Sequence, residues 1–127
     1  MKKSLTKILS NLRYLPDRTP EMSIAGGTEG AFAEVAPLGS GAVYVAHYSG
    51  SSEWERHSAG DELVMSLEGA TTVVLLVNGA EERVTLGAND LVVVPAGTWH
   101  RFENSVKLKV LTVTPQPTDH RIERPDA

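Results

Sequence analysis

The chain contains no cysteine, no long apolar run and no excess of positive charge, and each absence removes a class of function. Without cysteine there is no disulfide, no thiolate nucleophile, no cysteine-ligated zinc and no iron–sulfur cluster, so a bound metal must rely on His, Asp or Glu. Only four histidines are present for that purpose. The longest uninterrupted aliphatic run, Val73 to Val77, is far short of the ~20 residues that span a bilayer. Twelve Lys plus Arg against sixteen Asp plus Glu give a net charge of −4, a sign that repels phosphate backbones and anionic headgroups. Neither nucleic acid nor membrane is therefore an expected partner. Lys2 and Lys3 open the chain, but Lys7, Ser10 and Asn11 interrupt the apolar stretch behind them and no small-residue cleavage motif follows. The expected location is the cytoplasm.

What is present fits one domain. A chain of 127 residues and 13.7 kDa has a folded surface of roughly 6,600 Å² by size scaling and buries about two-thirds of its unfolded surface. Leu5, Ile8, Leu9 and Leu12 recur at helical spacing, which predicts one short amphipathic helix within Ser4 to Arg13, stopped by Pro16 and Pro20. Residues 1–29 read as this helix and an extended arm. From Gly30 the pattern changes to short runs rich in Val, Leu and Thr, broken every eight to twelve residues by Gly, Pro, Asn or Ser. Candidate strands are Ala31–Ala36, Ala42–Tyr48, Glu53–His57, Glu62–Glu68, Thr71–Val77, Glu81–Leu86, Asp90–Val94, Trp99–Glu103 and Val106–Thr114. Asn78-Gly79 predicts a type I′ hairpin. Such strands without intervening helices imply an all-β sandwich or barrel over residues 30–114. Residues 115–127, rich in Pro and mixed charge, read as a tail that is mobile or packs on a partner subunit.

One segment concentrates chemistry. Glu55 and His57 are two apart on one candidate strand, so their side chains leave the same face ~6.6 Å apart, and the turn at Gly60 returns Glu62 on the neighbouring strand. His100 follows the turn Pro95-Ala96-Gly97 on a later strand.

These residues resemble the cupins, double-stranded β-helix (jelly-roll) barrels with the motifs G-x5-H-x-H-x(3,4)-E-x6-G and G-x5-P-x-G-x2-H-x3-N. His57, Glu62 and Gly69 match the first motif, and Pro95, Gly97, His100 and Asn104 match the second. The motifs cover Ser49 to Asn104, and the flanking β pattern extends the likeness over Gly30–Thr114. Three positions depart from the pattern. Glu55 stands where the first His of H-x-H is expected, Asn89 replaces the Gly that opens the second motif, and Gly50 lies one residue too near Glu55.

The resemblance implies a metal site of His57, Glu62 and His100, a 2-His-1-carboxylate set suited to one divalent transition metal: Fe, Mn, Ni, Co or Zn. The other reading is a barrel without metal in which His57 and Glu62 are hydrogen-bonded interior groups. Glu55 is a fourth ligand, a group turned to Arg56 or solvent, or the proton-transfer group of a catalytic site. His47, on an adjacent strand, is a packing residue or a replacement imidazole. Trp54 and Trp99 are expected to pack between sheets or subunits, and Arg56 and Arg101 to pair at the surface with Glu53, Glu103 or Asp61. Strands 73–77 and 91–94, apolar on both faces, imply cover on both sides and a homodimer. The functions implied are a small-molecule dioxygenase, isomerase or lyase, or else a barrel that binds or senses a small-molecule ligand without reaction.

Overall fold

The computed structural model describes residues 1–126. Helix α1 (Leu5–Ser10) starts at Ser4, whose hydroxyl accepts from the Lys7 amide at 3.3 Å and satisfies one of the free N–H groups of the first turn. It is followed by strand β1 (Leu15–Arg18) and a short helical turn, α2 (Met22–Ala25). The barrel comprises β2 (Phe32–Leu38), β3 (Gly41–Gly50), β4 (Trp54–His57), β5 (Glu62–Val77), β6 (Ala80–Leu86), β7 (Leu91–Val94) and β8 (His100–Thr114), with β9 (Thr118–Arg121) last. This is the all-β barrel that the strand spacing predicts, with a surface of 6746 Å² against the roughly 6,600 Å² expected from chain size.

Two candidate strand pairs are each one continuous strand. Strand β5 runs through Gly69, and β8 through Asn104 and Lys107, all at positive φ (75°, 51° and 45°) where the β5–β8 register shifts. Such bulges bend a strand sharply without ending it. The bends let residues 62–66 of β5 pair with β7 and the far half of β8, while residues 71–77 pair with β6 and the near half. A Cβ at Gly69 would lie 2.3 Å from the Lys107 carbonyl oxygen, so only glycine fits where the two bends meet. Asn78 and Gly79 both have positive φ, 53° and 77°, as a type I′ hairpin requires.

The interior is filled by Tyr48, Val64, Val73, Leu75, Phe102, Leu108 and Val110 among others. Val74 and Leu76, on the opposite face of β5, form a second buried cluster with Trp54 of β4 and Trp99 of the turn before β8. Arg56 lies 4.6 Å above the Trp99 ring and Arg101 5.6 Å above that of Trp54. Arg101 pairs with Glu103 as expected, but Arg56 pairs with Asp119 of β9, because β9 runs beside it. The cover on Val74 and Leu76 is thus supplied within the chain. Leu91 and Val93, by contrast, are half exposed.

Two strands lie outside the predicted set. Strand β1 adds to β3 in parallel, and β9 folds back antiparallel on β4, with Glu55 opposite His120 and His57 opposite Thr118. Residues 118–121 therefore belong to the sheet instead of forming a mobile or partner-bound tail. Among the described residues no helix is long and apolar enough to cross a membrane.

Candidate metal centre

The three residues predicted to converge do so. Ligand atoms of His57, Glu62 and His100 lie within 4.8 Å of one another, and all three side chains are buried. His57 ends β4, Glu62 begins β5 and His100 begins β8, so three strand ends meet at one point. Their neighbouring turns hold them there: Asp61 accepts from the Ala96 amide at 2.9 Å, and the Gly97 amide donates to the His57 carbonyl at 2.9 Å.

Hydrogen-bond partners assign the state of each ring. Nδ1 of His100 faces the Thr98 carbonyl at 2.9 Å and Nε2 faces Oε1 of Glu62 at 2.9 Å. Both partners can only accept, so either both ring nitrogens carry protons or a metal ion takes the place of the Nε2 proton. Nδ1 of His57 meets the Thr118 hydroxyl at 2.9 Å, and that hydroxyl donates to Oε1 of Gln116 at 3.0 Å. Thr118 then accepts from Nδ1–H, so Nε2 of His57 carries either a second proton or a lone pair open to a metal ion. That atom is buried, has no hydrogen-bond partner, and lies 3.4 Å from Oε2 of Glu62, too far and misaligned for a hydrogen bond. A buried ring nitrogen aimed at a carboxylate needs a positive centre there, a proton or a metal ion in its place.

Electrostatics agree. Burial alone would raise the Glu62 carboxyl, but the imidazoles of His100 and His57 outweigh it and hold the group down at about 2. Burial alone would lower His100, and its contacts with Glu62 reverse the sign and raise it. The Thr114 hydroxyl donates to Oε2 of Glu62, completing a carboxylate held in its charged form. Nε2 of His100 and Nε2 of His57 lie 2.9 and 3.4 Å from the two oxygens of Glu62, and two imidazoles with one carboxylate are a donor set that would hold a divalent transition metal. The residues present therefore fit a divalent transition metal.

Glu55 is not brought into this set. It is the cross-strand partner of His100, but its carboxylate groups instead with Glu53 and His120. Burial pushes the Glu55 carboxyl up, with further upward pushes from Glu53 and Glu62. It shares with Glu62 the wall of a cavity of about 270 Å³. His47 lies away from the cluster, its ring 4.8 Å from that of Tyr14, so it packs and does not replace the missing imidazole. Thr114, Thr118, Arg18 and His120 were not singled out as site residues from the sequence. Their only signal is hydroxyls, a guanidinium and an imidazole just outside the motif region, which acquire meaning once β1 and β9 are placed.

The cupin-domain family model matches residues 42–114, more than half of the chain. The chain belongs to the cupin family. This cupin is 37% identical over 60 residues to acireductone dioxygenase from Rhodopseudomonas palustris (strain TIE-1), a match covering 47% of this chain and 36% of that protein. It is 35% identical over 71 residues to the uncharacterized protein YdbB of Bacillus subtilis (strain 168), covering 56% of this chain and 60% of that one. The chain thus matches only about a third of the dioxygenase's length and under two-thirds of YdbB's. Among solved structures, a protein of unknown function from Streptococcus pyogenes superposes with a TM-score of 0.63 at 13% identity, covering 92% of this chain and 90% of that chain. A cupin-2 domain protein from Shewanella frigidimarina superposes with a TM-score of 0.55 at 19% identity, covering 71% and 79%. Hydroquinone 1,2-dioxygenase from Sphingomonas sp. TTNP3 gives 0.58 at 17% identity, covering 79% and 72%. These likenesses are of fold.

Proposed function

We propose that this cupin holds one divalent transition metal through His57, Glu62 and His100 and receives a small molecule in the adjoining cavity. The observation that supports this best is the unpartnered Nε2 of His57, buried and facing the same carboxylate as Nε2 of His100. A bound ion of this class supplies Lewis acidity toward an oxygen-bearing substrate and, as Fe(II) with open positions, access to dioxygen chemistry. The chain's own residues set the conditions. Thr98 and Thr118 fix the ring orientations, Thr114 keeps Glu62 ionised, and Phe102 and Val110 keep the cavity wall apolar. Glu55, on the same cavity wall, is the candidate proton-transfer group.

The sequence match to an acireductone dioxygenase favours dioxygenation as the reaction class. Elemental analysis of protein purified without chelator tests the metal. Stoichiometric metal in the wild type and none in the His57→Ala, His100→Ala double variant is the expected result; equal content in both overturns the site. Oxygen uptake by the iron-loaded protein with diols, phenols and keto acids tests the reaction. Silence across that panel with the metal retained assigns the barrel to binding or sensing instead.

A further inference from the structure

The cavity wall around Arg18 holds polar groups that the set His57, Glu62 and His100 does not use. Arg18 projects from β1, its side chain 9% exposed, with the guanidinium carbon 4.9 Å from the Phe32 ring centre and 4.5 Å from that of Tyr48. Among the described residues its one side-chain hydrogen bond is from Nη2 to Oε1 of Glu53, at 3.3 Å. A guanidinium has five N–H donors in a planar fork, so most remain unspent, in a place where unspent donors of a buried charge are costly. Tyr48 stands beside it. Its hydroxyl is buried near the Arg18 guanidinium with no partner in good hydrogen-bond geometry, and burial raises its pKa to about 12, so it stays a neutral donor. In the same lining, the Glu55 carboxyl makes no hydrogen bond among the described residues, and its nearest ion-pair contact is His120 at 3.8 Å. Arg18, Tyr48 and Glu55 all line the cavity that also reaches Glu62.

We infer that this part of the cavity wall binds a small carboxylic acid bearing a hydrogen-bond donor, a hydroxyl or an amine, next to the carboxylate. The carboxylate lies against the free fork of Arg18 and the Tyr48 hydroxyl, and the neighbouring O–H or N–H donates to Glu55. A planar fork matches a carboxylate better than any neutral oxygen, because two parallel charge-assisted bonds form at once. Glu53 does not compete for this role, being already engaged by Arg18 and by Nδ1 of His120 at 2.8 Å. The rings of Phe32, Tyr48 and Phe102 give the ligand's carbon body apolar walls. Arg18 lies outside residues 42–114, so the carboxylate-recognising guanidinium comes from a flank of the chain while Tyr48 and Glu55 come from the matched family region. The inference rests on the cavity taking a small molecule and does not require the metal.

The test is calorimetric titration of metal-free protein, chelated and then dialysed, with lactate, alanine, propionate, lactamide and alaninamide, and with the phenyl-bearing homologue of each. Lactate or alanine, or its homologue, should bind at least about tenfold more tightly than the matching amide and more tightly than the plain acid. Preference for the hydroxy acid or the amino acid identifies the donor. Arg18→Gln should abolish the acid-over-amide preference, while Arg18→Lys keeps part of it. Tyr48→Phe, which preserves the ring packing, should weaken the acids more than the amides, and Glu55→Gln should remove the advantage over propionate. Acids and amides binding alike, an unchanged preference in a folded Arg18→Gln or Tyr48→Phe protein, or no acid binding at all would overturn the inference. Binding of the amides alone would do so while leaving the small-molecule cavity standing, and metal analysis remains a separate measurement.

Discussion

Nε2 of His100 lies 2.9 Å from Oε1 of Glu62, and the opposite ring nitrogen faces the Thr98 carbonyl at the same distance. Two acceptors on one ring require a positive centre, a second proton or a metal ion. Metal and proton are therefore competitors for one atom, and metal uptake should release protons. Titrating metal-free protein with zinc in a weakly buffered solution should acidify it, and the Glu62→Gln protein should not bind zinc under the same conditions.

Thr118 fixes the tautomer of the other imidazole through its hydroxyl at 2.9 Å from Nδ1 of His57. Thr118→Val should lower metal affinity by about 10–100-fold, as loss of a partner behind a ligating histidine usually does, with Thr118→Ser close to wild type. A competition titration against a metal-indicator dye measures this, and equal affinities in all three proteins would contradict the assignment.

Without metal, acid should destabilise the protein through Glu62. Its folded value of about 2 lies below the ordinary 4.5, so its contribution is present above about pH 4.5 and is lost as pH falls toward 2. Linkage puts the loss on the order of 3 kcal/mol across that window. Urea unfolding of the chelated protein between pH 5 and 2 should show it, and the slope should flatten in Glu62→Gln. His100 works in the opposite direction. It is raised above 6.5, so its contribution to the metal-free protein is present below that value and fades as pH rises through the elevated one.

The crossing of β5 and β8 depends on Gly69, at φ 75° with the Lys107 carbonyl oxygen 2.3 Å from where a Cβ would stand. Gly69→Ala should cost at least about 1–3 kcal/mol of stability, combining backbone strain with a displaced strand. Gly79→Ala, also at positive φ but in open space, should cost less. Paired denaturation curves decide, and equal losses would refute the crossing argument.

A homodimer through the β7 face is the expected assembly, since Leu91 and Val93 are 53% and 49% exposed on one strand. Sedimentation at micromolar concentration should give twice 13.7 kDa, and Leu91→Glu with Val93→Glu should give the monomer. A wild-type mass of one chain would rule it out.

The sequence by itself determined the barrel and the convergence of His57, Glu62 and His100. Strand alternation, positive-φ turn residues and motif spacing act over a few residues, and they carry Glu62 back beside His57 and place His100 after its turn regardless of what the rest of the chain does. It also separated Trp99 from His100, because adjacent residues on a strand face opposite sides. Only the tertiary structure decided the ends and the bends. Strands β1 and β9 are four residues each, too short for any period, and they exist because β3 and β4 offer open edges. The bulges that make β5 and β8 continuous depend on the partner strand across from them. The unpredicted residues Arg18, His120, Thr118 and Thr114 enter the site through those long-range pairings, and so does the grouping of Glu55 with Glu53 and His120, which the sequence had left open between ligand, surface and proton-transfer roles.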